Sequence, residues 1–210
     1  ATNGDSVFVS AGTYYENIVW PATNGIKLIG SGEDDCIIDG GSLASVIRLE
    51  GGANIDSSTL ITGFTIQNGN AQGENHKDKG GGMYLWSSSP TLMDITFSGN
   101  TAESYGGGMY LYSSNPTLTG VTFSGNSGGT YGGGMHLNYS SPTLTDVTFS
   151  DNTANDAGGG MYLNNGSEPT LMDITFSGNT AVSSGGGMHL KIVNPTLTDV
   201  TFSDNTASNG

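Results

Sequence analysis

A unit of about 26 residues recurring five times, apolar and polar residues alternating inside each unit, and the absence of any helical period together predict an all-β chain. The predicted architecture is a right-handed, single-stranded parallel β-helix, a β-solenoid in which each unit is one coil. Gly-Gly-Gly-Met begins at 80, 106, 132, 158 and 185, and Phe-Ser-(Gly/Asp)-Asn at 97, 123, 149, 176 and 202. The units are therefore 80–105, 106–131, 132–157, 158–184 and 185–210, a step of 26 residues and once 27. The extra residue falls between Met161 and Pro169, and an insertion tolerated there marks a surface turn.

Each element of a unit follows from its residues. Met109-Tyr110-Leu111-Tyr112 alternates and reads as a strand, Pro116 breaks it, and Leu118, Val121 and Phe123 with Thr or Ser between them read as a second strand. Short strands with turns at fixed intervals and no room for crossover helices cannot build a doubly wound sheet. They can build coils stacked at about 4.8 Å. Stacking places like on like: Met83/109/135/161/188, Leu85/111/137/163/190, Leu92/118/144/171/197, Phe97/123/149/176/202, and an Ile/Val column at 95, 121, 147, 174 and 200. Each inward column adds apolar burial at about 25 cal/mol per Å² coil by coil. Asn100, Asn126, Asn152, Asn179 and Asn205 occupy one tight turn, where stacked amides can hydrogen-bond along the axis as a structural ladder. The triple glycines suit a corner with positive φ or close backbone approach. Without a following Lys or a helix they are no phosphate loop.

The Gly-Gly-X-hydrophobic and Phe-x-x-Asn signature, carried by Gly106-Gly107-Gly108-Met109 with Phe123-Ser124-Gly125-Asn126 and its four parallels, resembles the repeats of polymorphic outer membrane protein-type β-helices over 80–210. Upstream, Gly4-Asp5-Ser6-Val7-Phe8-Val9, Gly12 to Ile18, Ile26 to Gly32, Ile37-Ile38-Asp39-Gly40-Gly41 and Phe64 to Gly69 resemble the opening coils of pectin-lyase-like β-helices. Residues 1–79 are thus expected to form irregular N-terminal capping coils of the same solenoid. Relatives of that kind include polysaccharide lyases and hydrolases. The resemblance implies, for a lyase, calcium-binding acidic groups beside a proton-abstracting base. Arg48 and the lysines at 27, 77, 79 and 191 repeat no such cluster, and Arg48 is expected to pair with Glu50 or solvent. Hydrolysis needs two carboxylates at roughly 5 to 9.5 Å, a separation that neighbouring coils meet trivially.

Composition narrows the partners. The chain of 210 residues has 35 glycines and only 5 Lys plus Arg against 19 Asp plus Glu, a formal charge of −14. That sign argues against nucleic acid and anionic membranes, and leaves cations, neutral glycans and proteins. Cys36 has no cysteine partner and reads as a small hydrophobe in a buried strand. No run approaches the 18 to 20 apolar residues of a membrane span. Scarce lysine with abundant Gly, Ser, Thr and Asn is expected of an extracellular or cell-surface protein.

Four features escape the repeat. Asp94, Asp146, Asp173 and Asp199 share one position, interrupted by Gly120; Asp146, Asp173 and Asp199, about 5 Å apart, would either be a solvated turn row or be bridged by calcium. The row Tyr84, Tyr110, His136, Tyr162, His189, with Trp86 and Tyr112 beside it, reads as an outward aromatic strip able to stack on sugars or anchor a protein. His136 and His189 stand two coils apart, too far to share a metal. The charged segment Gly73 to Lys79 reads as a loop insertion. Finally, Gly210 completes the fifth unit, and a last coil presenting Met188, Leu190, Leu197 and Phe202 would be continued by more chain or met head-to-tail by another copy.

No cofactor is called for beyond that calcium. The expectation is a secreted, non-enzymatic structural or adhesive surface solenoid, able to assemble head-to-tail into a fibre through its last coil, whose partners are itself or other surface proteins and glycans. The first alternative is a carbohydrate-binding face, or an ice-binding one built on the threonine rows 91/117/143/170/196 and 96/122/148/175/201. The second is a polysaccharide lyase or hydrolase.

Overall fold

The computed structural model describes residues 1–50 and 55–209, and contains no helix among them. Gly210, read above as the end of the fifth unit, lies outside the described residues. The chain winds through about seven coils that build three parallel sheets along one axis. One sheet of 10 strands holds the long strands such as Thr91–Ser98 and Thr117–Ser124. The second, of 7, holds Met83–Trp86 and Met109–Tyr112, and the third, of 6, holds two-residue strands such as Thr101–Ala102.

Register is set by identity. Leu92 pairs Leu118 and Phe97 pairs Phe123, while Met109 pairs Met135 and Leu111 pairs Leu137. A slip by one residue would turn every apolar side chain outward. The five phenylalanines stack with centroids 4.8 Å apart at each step and planes within 8°. Met, Leu, Ile/Val and Phe columns are buried through the first four repeats, 80–184. Each such side chain contributes about 1.5–3 kcal/mol relative to exposure, so stability grows with coil number.

Two polar ladders lock the corners. Asn100 Nδ2 donates to Ile66 O at 2.9 Å and to Asn126 Oδ1 at 3.1 Å, and the Asn100 backbone N–H donates to the same oxygen at 3.0 Å. The pattern repeats through Asn126, Asn152 and Asn179 to Asn205. A second ladder runs through buried serines: the N–H groups of Ser88, Ser114 and Ser140 donate to Ser114, Ser140 and Ser167 Oγ, each at 3.1 Å. The one-residue insertion at 164–166 is absorbed in a turn before Ser167, which keeps its place in the ladder.

The triple glycine uses both of its freedoms. Gly106 sits at φ 66°, and a Cβ on Gly108 would lie 2.6 Å from the Gly134 carbonyl oxygen.

The described residues of the stretch before the repeats, 1–50 and 55–79, wind on the same axis. Ser6–Val9 pairs Lys27–Gly30, which pairs the first half of Leu60–Gln67, while Gly12–Tyr15 and Cys36–Asp39 continue onto its second half. Their strands are interrupted, by residues 10–11 in the first coil and by the loop 31–35 in the second, where later coils have a single bulged residue. Glu33 from that loop lies on the outer face of the long-strand sheet and accepts a hydrogen bond from Thr96 Oγ1 at 2.9 Å. Cys36 is buried, with its thiol 3.4 Å from Ser10 O.

Candidate functional site

The aspartate row has a backbone cause. Asp94, Asp146, Asp173 and Asp199 sit at φ 49°, 54°, 56° and 51°, and Gly120 in the same column at 62°. The strand ladder skips this residue, so Leu118 and Val121, three apart, both point inward. A left-handed residue admits Gly, Asn and Asp most readily, and Gly120 is the second solution to the same constraint. Among the described residues no group of three or more His, Cys, Asp or Glu is placed to hold a metal ion. Asp146, Asp173 and Asp199 therefore do not converge on a chelating set.

The Tyr/His row is corrected more sharply. It points away from the barrel interior, yet Tyr84, Tyr110, His136 and Tyr162 are buried. The cover is a second layer formed by the residue just before each triple glycine, where Lys79, Tyr105, Tyr131, Ala157 and Ser184 pair in succession. Tyr105 and Tyr131 stack on each other at 5.6 Å, and Tyr131 stacks on Tyr162 at 4.4 Å. His136 meets Tyr105 at 4.9 Å and Tyr110 at 5.3 Å. His189, partly buried in the last coil, stacks on Tyr162 at 5.0 Å and lies 3.1 Å from Ser184 Oγ through Nδ1. Strand alternation alone misses this layer, although the 26-residue recurrence of Tyr105 and Tyr131 is visible in the sequence.

Burial governs the titration of the row. His136 is 2% exposed, neither ring nitrogen has a partner, and its pKa is pushed down to about 3. Loss of hydration dominates, against the opposing pull of the Asn164 side chain. Tyr84 is pushed up to about 12 by burial, partly offset by the Arg48 guanidinium, whose Cζ lies 4.0 Å from the ring centroid.

Beside the buried row, Trp86 keeps exposed aromatic surface. The segment 73–79 turns over the edge of the second layer, with Asn75 and His76 both at positive φ, 57° and 67°. Arg48 holds this turn: Nη2 donates to His76 O at 3.3 Å, Nη1 to Ser45 Oγ at 3.1 Å, and Nε to Glu50 Oε1 at 2.6 Å. Lys79 Nζ donates to His76 Nδ1 at 3.1 Å, which places the ring proton on Nε2, and it pairs with Asp78 at 3.5 Å. Between this turn and the rows lies an open cleft of about 280 Å³. Its floor is Tyr84, Tyr105 and Tyr110, and its walls are His76, Lys79, Trp86, Tyr112 and Asn138. Trp86 is 42% exposed and contacts His76 and Tyr112 at 6.1 and 6.5 Å between centroids, both edge to face. Asn138 Nδ2 donates to Tyr110 OH at 3.2 Å, fixing its amide at the cleft margin.

The structure thus joins the loop and the aromatic strip, two of the four features that stand outside the repeat, into one site. At the far end Leu190, Leu197 and Phe202 are exposed and Met188 is half-buried.

Three parallel sheets on one axis, with identical residues stacked in register, define a parallel β-solenoid carrying a lateral aromatic cleft. The model of the right-handed β-helix region matches residues 3–181, and the chain belongs to that family, whose members include both enzymes and non-enzymes. A search of curated proteins finds no match.

Proposed function

We propose that this chain is an extracellular or cell-surface solenoid that binds saccharide non-catalytically through the cleft at Trp86. The supporting observation is the exposed Trp86 beside half-exposed Tyr112, set against the hydrogen-bonding groups of His76, Lys79 and Asn138. A sugar presents an apolar face to an aromatic ring and hydroxyls to polar neighbours, and such mixed, preformed concavities are the usual form of a small-ligand site. The repetitive coils supply a rigid support, because each is fixed by two hydrogen-bonded ladders and a stacked core.

No carboxylate lines the cleft, whereas hydrolysis of glycosidic bonds commonly uses two. Its one imidazole is engaged by Lys79, and Arg48 is engaged by Glu50. These placements favour retention of a ligand over chemistry on it. A glycan array followed by calorimetric titration of the strongest hits tests the proposal. Binding should weaken by about tenfold or more on Trp86→Ala, the loss typical of a central aromatic anchor. Absence of any glycan hit, or hits insensitive to Trp86, would overturn it.

A further inference from the structure

Outside the cleft, one aromatic ring is out of keeping with its column. The residues that follow the Met-Leu strands, Ser87, Ser113, Tyr139, Asn165 and Ile192, all adopt positive φ, between 49° and 57°. Small or amide residues suit that conformation, and a bulky ring there is an outlier. Tyr139, at φ 52°, is 57% exposed and rests edge to face on Tyr112, centroid to centroid 5.9 Å. Trp86, Tyr112 and Tyr139 therefore form a line of exposed or half-exposed rings that leaves the cleft along the solenoid axis, in steps of 6.5 and 5.9 Å. Beside the line, Asn138 Oδ1 accepts from Asn165 Nδ2 at 2.8 Å, so an amide row continues where the rings stop.

We infer that Tyr139 is a second stacking platform and that the ligand is an extended, neutral oligosaccharide lying parallel to the axis. This rests on the saccharide proposal for the Trp86 cleft and deepens it. The geometry is commensurate: the coil rise of 4.8 Å, read from the phenylalanine stack, is close to the length of one pyranose unit, so successive sugars meet successive coils. Trp86 and Tyr139 lie two coils apart, about 10 Å along the axis, a span that a disaccharide seated on Trp86 does not cover and a longer chain does. Charge selects neutrality. The protein carries a net −14, and the cations nearest the cleft are already matched, Arg48 by Glu50 and Lys79 by Asp78. A polyanionic glycan would find no free counter-charge in the cleft and a repulsive field around it.

Calorimetric titration of the whole chain with cellobiose and cellohexaose as probes, backed by xylohexaose, mannohexaose and a galacturonate hexamer, tests this. Tyr139→Ser is the variant of choice, because Ser87 and Ser113 already occupy the same backbone conformation; an unchanged melting curve checks the fold. A neutral hexasaccharide should bind more tightly than its disaccharide. Tyr139→Ser should weaken the hexasaccharide by about tenfold and leave the disaccharide unchanged, while Trp86→Ala weakens both. Equal affinity for short and long chains, or indifference of the hexasaccharide to Tyr139→Ser, overturns the extended site and leaves the Trp86 cleft standing. Preference for the galacturonate hexamer overturns neutrality. Failure of all the probes to bind overturns the inference and the saccharide proposal together.

Discussion

Acid should destabilise this solenoid through a single buried imidazole. His136 lies beneath Tyr105, between Tyr110 and Tyr162, and its folded pKa of about 3 is set chiefly by loss of hydration. In the unfolded chain a histidine titrates near 6.5, so between about pH 6.5 and 3 the unfolded state binds one proton more than the folded state. Stability is therefore complete above about pH 6.5 and falls as pH drops through that window. At 1.36 kcal/mol per pKa unit, the loss from this group is about 2 kcal/mol at pH 5, and about 4 to 5 kcal/mol is the limit near pH 3. For a chain of this size, 2 kcal/mol corresponds to a melting temperature lower by roughly 4–8 °C. His136→Phe keeps an aromatic ring in the stack and removes the titration. Calorimetric melting of both proteins at pH 7.5 and pH 5.0 isolates the effect, because the other titrating groups are common to the two. The wild type should lose more than the variant by about 2 kcal/mol; equal losses would falsify the assignment.

Other perturbations follow from the ladders and the bulge. Asn152→Ala removes the Nδ2 donor to Phe123 O and the Oδ1 acceptor of the Asn126 backbone and side-chain amides, while Asn179 Oδ1 keeps the Asn152 backbone N–H; it should cost about 3–5 kcal/mol in denaturant unfolding, since each buried group left unpaired costs about 1–3 kcal/mol. Asp146→Gly should be nearly neutral, whereas Asp146→Val, a β-branched residue at φ 54°, should lower stability by about 1–2 kcal/mol or more. The melting temperature should be unchanged in a chelator; a fall would restore calcium to the aspartate row. Gly108→Ala, meeting the Gly134 carbonyl at 2.6 Å, should destabilise strongly, as overpacking of a rigid corner does.

The fold was legible because a solenoid repeats its constraints. Met109, Leu111, Leu118 and Phe123 face inward in every copy, and five copies average out what one strand leaves ambiguous. The 118-to-121 step was the sign of a bulge: two inward residues three apart need one left-handed residue between them, and Asp or Gly supplies it. Tertiary covering was less legible. Tyr84 and His136 alternate correctly to the outer face of their strand, but alternation reports which side of a sheet a residue occupies, not what lies over that side. The covering layer comes from Lys79, Tyr105 and Tyr131, which belong to turn rather than strand and so carry no period-two signal. The cleft needed a non-repeating segment, 73–79, to fold back across repeating ones, and Tyr139, which follows a strand and carries no periodic signal, stands out only once its backbone conformation and exposure are known.

Saccharide contact at Trp86 is the central claim, and Trp86 can report on it directly. The chain has 2 tryptophans, and Trp20 is buried, so Trp20→Phe leaves Trp86 as the sole indole emitter. Titrating that variant with cellohexaose and with the strongest array hit should shift Trp86 emission to shorter wavelength, saturably, as a sugar ring replaces water over the indole. Saturable binding by calorimetry with no change in Trp86 emission would place the ligand elsewhere on the solenoid and contradict the cleft.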